Sequence, residues 1–146
     1  MTADSKAMAE FSTIDSIQAS IDSSPFNAFC RLKVEEADLA GKKLVMRMPA
    51  QADMERLAHS GQWHGGPIAC LVDTAGCYAS MMVLGYGIPT INIRVDYLRP
   101  AIDTDLVAVA TVRKAGRSVT VADVDVLDTN GKLLAIGRCT YSSVSG

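Results

Sequence analysis

The sequence predicts an α+β fold in which a curved antiparallel sheet wraps around one long central apolar helix. Two observations carry this. The stretch from Trp63 to Gly85, WHGGPIACLVDTAGCYASMMVLG, has the length of about five helical turns and almost no polar residue. The segments around it alternate in period two and are joined by turns too short for the crossovers that parallel strands need. A helix apolar on every face must be covered on every face. The sheet therefore has to curve around it, and another subunit is expected to cover the side that the sheet leaves.

In chain order, Met1 to Ser12 is polar and is expected to fray. Ile14, Ile17 and Ile21 recur at helical spacing and predict a short amphipathic helix that ends before Ser23-Ser24-Pro25 and covers the domain. The N-terminal segment is thus 1–25, and 26–146 is a single domain. Phe26 to Asp38 reads as an irregular first strand. Lys42 to Met48 reads as a second, with Leu44, Met46 and Met48 on one face. Ala50 to Gln62 is a loop with one helical turn near Met54–Ala58, and Trp63 is a packing anchor. Pro67 suits the first helical turn, and Gly85 and Gly87 mark the stop. Thr90 to Leu98 is the cleanest period-2 segment. Asp105 to Lys114 and Arg117 to Leu127 form a hairpin at Ala115-Gly116, with a phase shift near Asp123 that suggests a bulge. Asp128-Thr129-Asn130-Gly131 is a hairpin turn, and Lys132 to Ser142 is the last strand.

Asp73 is the anomaly of the apolar helix. A carboxylate there costs free energy unless something pairs with it. It is a satisfied structural residue, one that reaches solvent at a seam, or a catalytic one. Gly65 and Gly66 sit at the helix start, where unpaired N–H groups and the helix dipole can stabilise charge developing on a carbonyl oxygen. From Gly66 to Asp73 is almost two turns, or roughly 10 Å. One reacting group cannot bond to both ends of that span. If both ends are catalytic, the simplest arrangement pairs a glycine of one subunit with Asp73 of another.

Composition narrows the function. With 49% hydrophobic and 21% charged residues and a net charge of −2, the chain has the balance of a globular protein and no basic surface for nucleic acid. Asp73, Thr74, Gly76 and Ser80 interrupt the helix and argue against a membrane span. The four cysteines contain no CxxC, and His59 and His64 do not have zinc spacing, so no metal is expected. The first residues have no basic stretch followed by an apolar run, and a reducing cytoplasm is the expected location.

HGGPIACLVDTAG and TINIRVDYLRPA, in that order and flanked by hairpins, resemble the hotdog-fold acyl-CoA thioesterases of the PaaI-like, phenylacetate-degradation type within the 4-hydroxybenzoyl-CoA thioesterase superfamily. The resemblance covers about Phe26 to Ser142. It implies a thioester hydrolase with Asp73 as base or nucleophile. The Gly65 N–H would polarise the thioester carbonyl, His64 would help to hold the site, and Thr90 would supply an assisting hydroxyl. It also implies a site shared across a homodimer, often within a homotetramer, with coenzyme A entering only as part of the substrate. The chain departs from the pattern at Ala58, where the family often has an Asn six residues before the motif histidine. His59 or Gln62 substitutes for it, or turnover is slow, or the native reaction differs. Gly66 completes the substrate-binding candidates at the helix start. Arg99, Arg113, Lys114 and Arg117 are either coenzyme A phosphate ligands or ordinary solvated charge, with Arg117, directly after Gly116 in the hairpin, preferred because guanidinium suits phosphate oxygens. The competing functions are a hotdog dehydratase, whose Asp/His pair is not found, and a non-catalytic acyl-CoA-binding protein.

Overall fold

The computed structural model describes residues 11–144. The fold is a six-stranded antiparallel sheet curved around one helix. Helix α1 (Ile14–Ser23) starts at a capping box: Thr13 Oγ1 accepts the Ser16 N–H, and Ser16 Oγ accepts the Thr13 N–H, both at 3.1 Å. Ile17 and Ile21 are fully buried, so α1 does cover the domain as the spacing predicts. Most of the expected frayed segment lies outside the described residues. Its one apolar residue within them, Phe11, is buried edge-on against Tyr78.

The expected first strand is half helix. Ser24 caps α2 (Pro25–Phe29), and Pro25 occupies its first position, where proline's fixed φ and missing N–H favour a helix start. Strand β1 begins only at Lys33 (Lys33–Asp38). Strand β2 (Lys43–Met48) buries Leu44, Met46 and Met48 as its alternation predicts. The single turn of the following loop is a 3₁₀ turn at Ala52–Met54, earlier than expected. Next come the long helix α3 (Gly65–Leu84) and strands β3 (Thr90–Tyr97), β4 (Leu106–Ala115), β5 (Val119–Leu127) and β6 (Leu133–Ser142). The sheet order is β1-β2-β4-β5-β6-β3, which leaves β1 and β3 as edges. The bulge is not in β5, which keeps its alternation. It lies on β4, where Arg113 is the extra residue between the pairs Val112–Ala122 and Lys114–Val121.

Helix α3 passes the length and hydropathy test for a membrane span, yet half of its residues are buried within this chain. It contacts β2, β3, β4, β5 and β6. Small side chains on the sheet make room for it: Ala108, Ala110 and Ala122 are fully buried on β4 and β5. At two points there is space for no side chain at all. A Cβ on Gly137 would lie 2.3 Å from Val72 Cγ1, and one on Gly76 would lie 2.5 Å from the Tyr141 hydroxyl. Gly85 ends the helix with φ 85°, its N–H donating to the Met81 carbonyl at 2.7 Å. The face carrying Ala69, Cys70, Asp73, Thr74 and Cys77 is not covered by the sheet and stays partly exposed.

These close approaches make a test. Gly137→Ala should destabilise the fold by about 1–3 kcal/mol, because β-branched Val72 has little rotamer freedom in a helix with which to retreat. A Gly137→Ala/Val72→Ala double variant should recover part of the clash component. Gly87→Ala, where nothing lies within 4 Å, should be near neutral. Denaturant melts of the four proteins measure this, and equal effects at Gly87 and Gly137 would contradict the packing argument.

Candidate active site

The start of α3 accounts for its unpaired donors one by one. The His64 N–H donates to the Met54 carbonyl at 2.9 Å, which ties the helix to the preceding 3₁₀ turn. His64 caps the helix with its own ring: Nδ1 accepts the Gly66 N–H at 2.9 Å. Pro67 has no N–H. Of the donors left at a helix N-terminus, only that of Gly65 is without an acceptor, and it sits at the positive end of the dipole. The carbonyl of the same residue is fixed from the sheet, accepting the Tyr97 hydroxyl at 2.7 Å. Since Nδ1 is an acceptor, neutral His64 carries its proton on Nε2. Trp63, as expected, is an anchor: it is buried, and its indole N–H donates to the Thr104 carbonyl at 2.8 Å.

Two turns along α3, Asp73 is held from two strands. Thr90 Oγ1 donates to Asp73 Oδ1 at 2.9 Å, and the buried Tyr141 hydroxyl donates to the Asp73 backbone carbonyl at 2.8 Å. Thr90 and Tyr141 are partners in the β3–β6 register, so one rung of the sheet fixes both. Asp73 Oδ2 has no partner among the described residues. The carboxylate is half-buried on the open face of the helix. It is thus oriented by a hydroxyl, with one oxygen free for chemistry.

The expected site residues fall into two groups. Asp73 and Thr90 form one. Gly65, His64, Gln62 and Arg99 form the other, lining a cleft of about 420 Å³ with Tyr97 and Arg56. Gly66 belongs with the second group in position, but His64 occupies its N–H. His59 has φ 64° in the exposed loop and does not line the cleft, and neither does Arg117 in the β4–β5 hairpin. Gln62 accepts from Arg56 Nη1 at 3.4 Å. Ala58 is exposed, and of the two residues proposed to stand in for the missing Asn only Gln62 lines the cleft. Sequence reading missed three contributors: Tyr97 and Tyr141, which looked like ordinary strand residues, and Arg56, in a loop without periodicity.

The cysteines are not rival nucleophiles. Burial is the main cause that pushes the Cys70 and Cys77 thiols up to about 12 and Cys139 to about 11, and it also raises Cys30. At neutral pH these groups stay as unreactive thiols. Alkylation of the native protein at pH 8 should therefore be slow, with all four thiols reacting only on denaturation. Rapid native labelling of Cys70, one turn from Asp73, would contradict this.

Comparison with known proteins agrees with the architecture. The thioesterase superfamily sequence model matches residues 60–135, which take in the α3 start, Asp73 and Thr90. The chain is 32% identical over 139 residues to a Halobacterium salinarum protein named "Putative esterase", covering 86% of this chain and 88% of that one. Thioesterase superfamily member 2 of zebra fish superposes with TM-score 0.78 at 29% identity, covering 90% of this chain and 99% of that one. The PaaI protein of the E. coli phenylacetic acid degradation operon superposes with TM-score 0.79 at 24% identity, covering 99% and 98%, and bears on the fold alone. A hotdog sheet around an apolar helix, with the family's sequence pattern laid over its helix start, makes this chain a thioesterase-fold hydrolase of the thioesterase superfamily.

Proposed function

We propose that the protein hydrolyses an acyl- or aryl-coenzyme A thioester to the carboxylate and free coenzyme A, in the PaaI-like manner. One observation carries the reading: a carboxylate on an apolar helix, oriented through one oxygen by Thr90, with the other oxygen free. Asp73 acts as general base on water or attacks the thioester carbonyl itself. In the water route, Asp73 Oδ2 takes a proton as the water oxygen bonds to the carbonyl carbon. The carbonyl oxygen becomes an oxyanion held by the Gly65 N–H and the α3 dipole. Collapse breaks the C–S bond, and the departing thiolate receives the proton from Asp73. Thr90 holds the carboxylate in line throughout. His64 keeps the helix start in shape and presents Nε2–H to the cleft. No metal or cofactor takes part.

The two groups of site residues support a homodimer at minimum, and the resemblance to PaaI-like enzymes extends this to a homotetramer. Gly65 and Asp73 of one chain are eight residues apart, about 12 Å along the helix. They are tied to opposite ends of β3, at Tyr97 and Thr90. Strand β3 is an edge with an unpaired side, and its Ile91 and Tyr97 are more than half exposed. Antiparallel pairing of two such edges would bring the Gly65 end of one chain beside the Asp73 end of the other. It would also cover the open face of α3. Free thiols at all four cysteines agree with a reducing, cytoplasmic setting.

A panel of aryl, short, medium and long acyl-CoA thioesters with a free-thiol reagent tests the reading. Asp73→Asn should lower kcat/KM on the order of 100-fold or more, with the melting temperature kept within a few degrees. Thr90→Ala should reduce kcat by less, since Thr90 orients the carboxylate and does not react. Tight binding of acyl-CoA with no hydrolysis across the panel would instead establish the non-catalytic acyl-CoA-binding alternative. An Asp73→Asn enzyme of near wild-type kcat/KM would remove Asp73 from the chemistry.

A further inference from the structure

We infer that Arg99, flanked by Arg56 and Lys132, forms an anion track that holds the phosphates of coenzyme A at the Gly65 end of each chain. The inference rests on the thioesterase reading and goes beyond it by assigning the nucleotide end of the substrate. The cleft of about 420 Å³ at Gly65 neighbours a second depression of about 520 Å³, and Arg99 and Pro100 line both. Arg56 lines the first and Lys132 the second.

Contacts connect the track step by step. Gly65 bonds to Tyr97. Arg99 lies two residues further, roughly 7 Å in extended chain. Arg99 Nη1 donates to the Leu133 carbonyl at 2.8 Å, and Lys132 is the next residue. A thioester carbonyl at the Gly65 N–H would therefore direct the pantetheine arm along Arg99 toward Lys132.

Charge pairing separates this end from the outer face of the sheet. There, Lys43, Arg47, Arg94, Arg113 and Arg138 each lie within ion-pair distance of a carboxylate. Among the described residues, Arg56, Arg99 and Lys132 do not. A paired guanidinium must give up its partner to bind phosphate, whereas these three need not. Arg99 is also preorganised: one N–H is spent on Leu133, which fixes the side chain, and four donors remain for phosphate oxygens. Asp128 lines the second depression and repels an anion, but its Oδ1 is turned to the N–H groups of Asn130 and Lys132 at 2.8 and 2.9 Å. That places the phosphates nearer Arg99 than the turn. Lys114 and Arg117 also lack a carboxylate partner; within their own chain they line neither depression and sit at the β4–β5 hairpin, whose Thr120 pairs with Tyr141 at the Asp73 end.

Calorimetry with free coenzyme A, pantetheine and adenosine 3′,5′-bisphosphate tests the track without knowledge of the acyl group. The wild type should bind coenzyme A more tightly than pantetheine, and the bisphosphate should compete. Arg99→Gln/Lys132→Gln should cut that preference by roughly tenfold or more, with a matching fall in the kcat/KM ratio of an acyl-CoA over its acyl-pantetheine. The preference should also weaken as salt is raised. An unchanged preference in the double variant, or its loss in Arg117→Gln instead, would overturn the assignment. Coenzyme A binding that depends on Arg99 and Lys132 without any thioester hydrolysis would leave the track standing and remove the hydrolase reading. Hydrolysis with no preference for coenzyme A over pantetheine would do the reverse.

Discussion

The rest of the structure depends on how closely α3 lies against the sheet. Gly137 and Gly76 leave no room for a Cβ, and the alanines of β4 and β5 keep the surface flat where the helix crosses. This approach brings the Tyr141 hydroxyl within reach of the Asp73 carbonyl, in the middle of a helix that otherwise turns apolar side chains to the sheet. Tyr141 is fully buried, and burial raises its phenol well above the ordinary tyrosine range, so it remains a hydrogen-bond donor. A buried donor is costly to leave unpaired, so the bond fixes the rotation of the helix. With that rotation set, Asp73 faces the open side beside Thr90 instead of the core.

The same constraint underlies the proposal that the site comes in halves. One helix fixes both Gly65 and Asp73, and a rigid rod holds its first and ninth residues too far apart to touch one carbonyl. Each end is secured by β3, through Tyr97 at one end and Thr90 at the other. The edge strand therefore does two things at once. It orients both half-sites within its own chain, and its unpaired side offers the register for a second copy. In this reading the cleft at Gly65 receives the substrate, while the hydrolytic carboxylate arrives from the neighbour.

Much of this was legible in the sequence, for physical reasons that can be named. The apolar α3 run and the hairpin turns are strong local signals, and they gave the fold class and the position of the long helix. Asp73 stood out because a charge among apolar residues is conspicuous. What escaped depends on tertiary contacts. Phe26–Phe29 is apolar enough for a strand, and only the capping by Ser24 and Pro25 makes it helical. The Arg113 bulge belongs to β4, although its signature in one dimension appeared opposite, near Asp123. Tyr97 and Tyr141 act through hydroxyls whose partners lie 32 and 68 residues away. The preference for Arg117 over Arg99 came from its place in a turn. The two depressions that favour Arg99 exist only once the start of α3, the end of β3 and the β5–β6 turn come together.

The central claim is that each working site combines Gly65 of one chain with Asp73 of another, and subunit mixing tests it most directly. Gly65→Val would push its side chain against the Tyr97 ring, which already lies 3.4 Å from a Cβ at that position, and Asp73→Ala removes the carboxylate. Each variant alone should be nearly inactive. After denaturation, mixing in equal amounts and refolding, the account predicts recovery to about one quarter of wild-type activity, because half of the dimers are mixed and one of their two sites carries neither lesion. No recovery, with exchange proven by mass spectrometry of tagged chains, would place Gly65 and Asp73 in the same chain's site and contradict the claim.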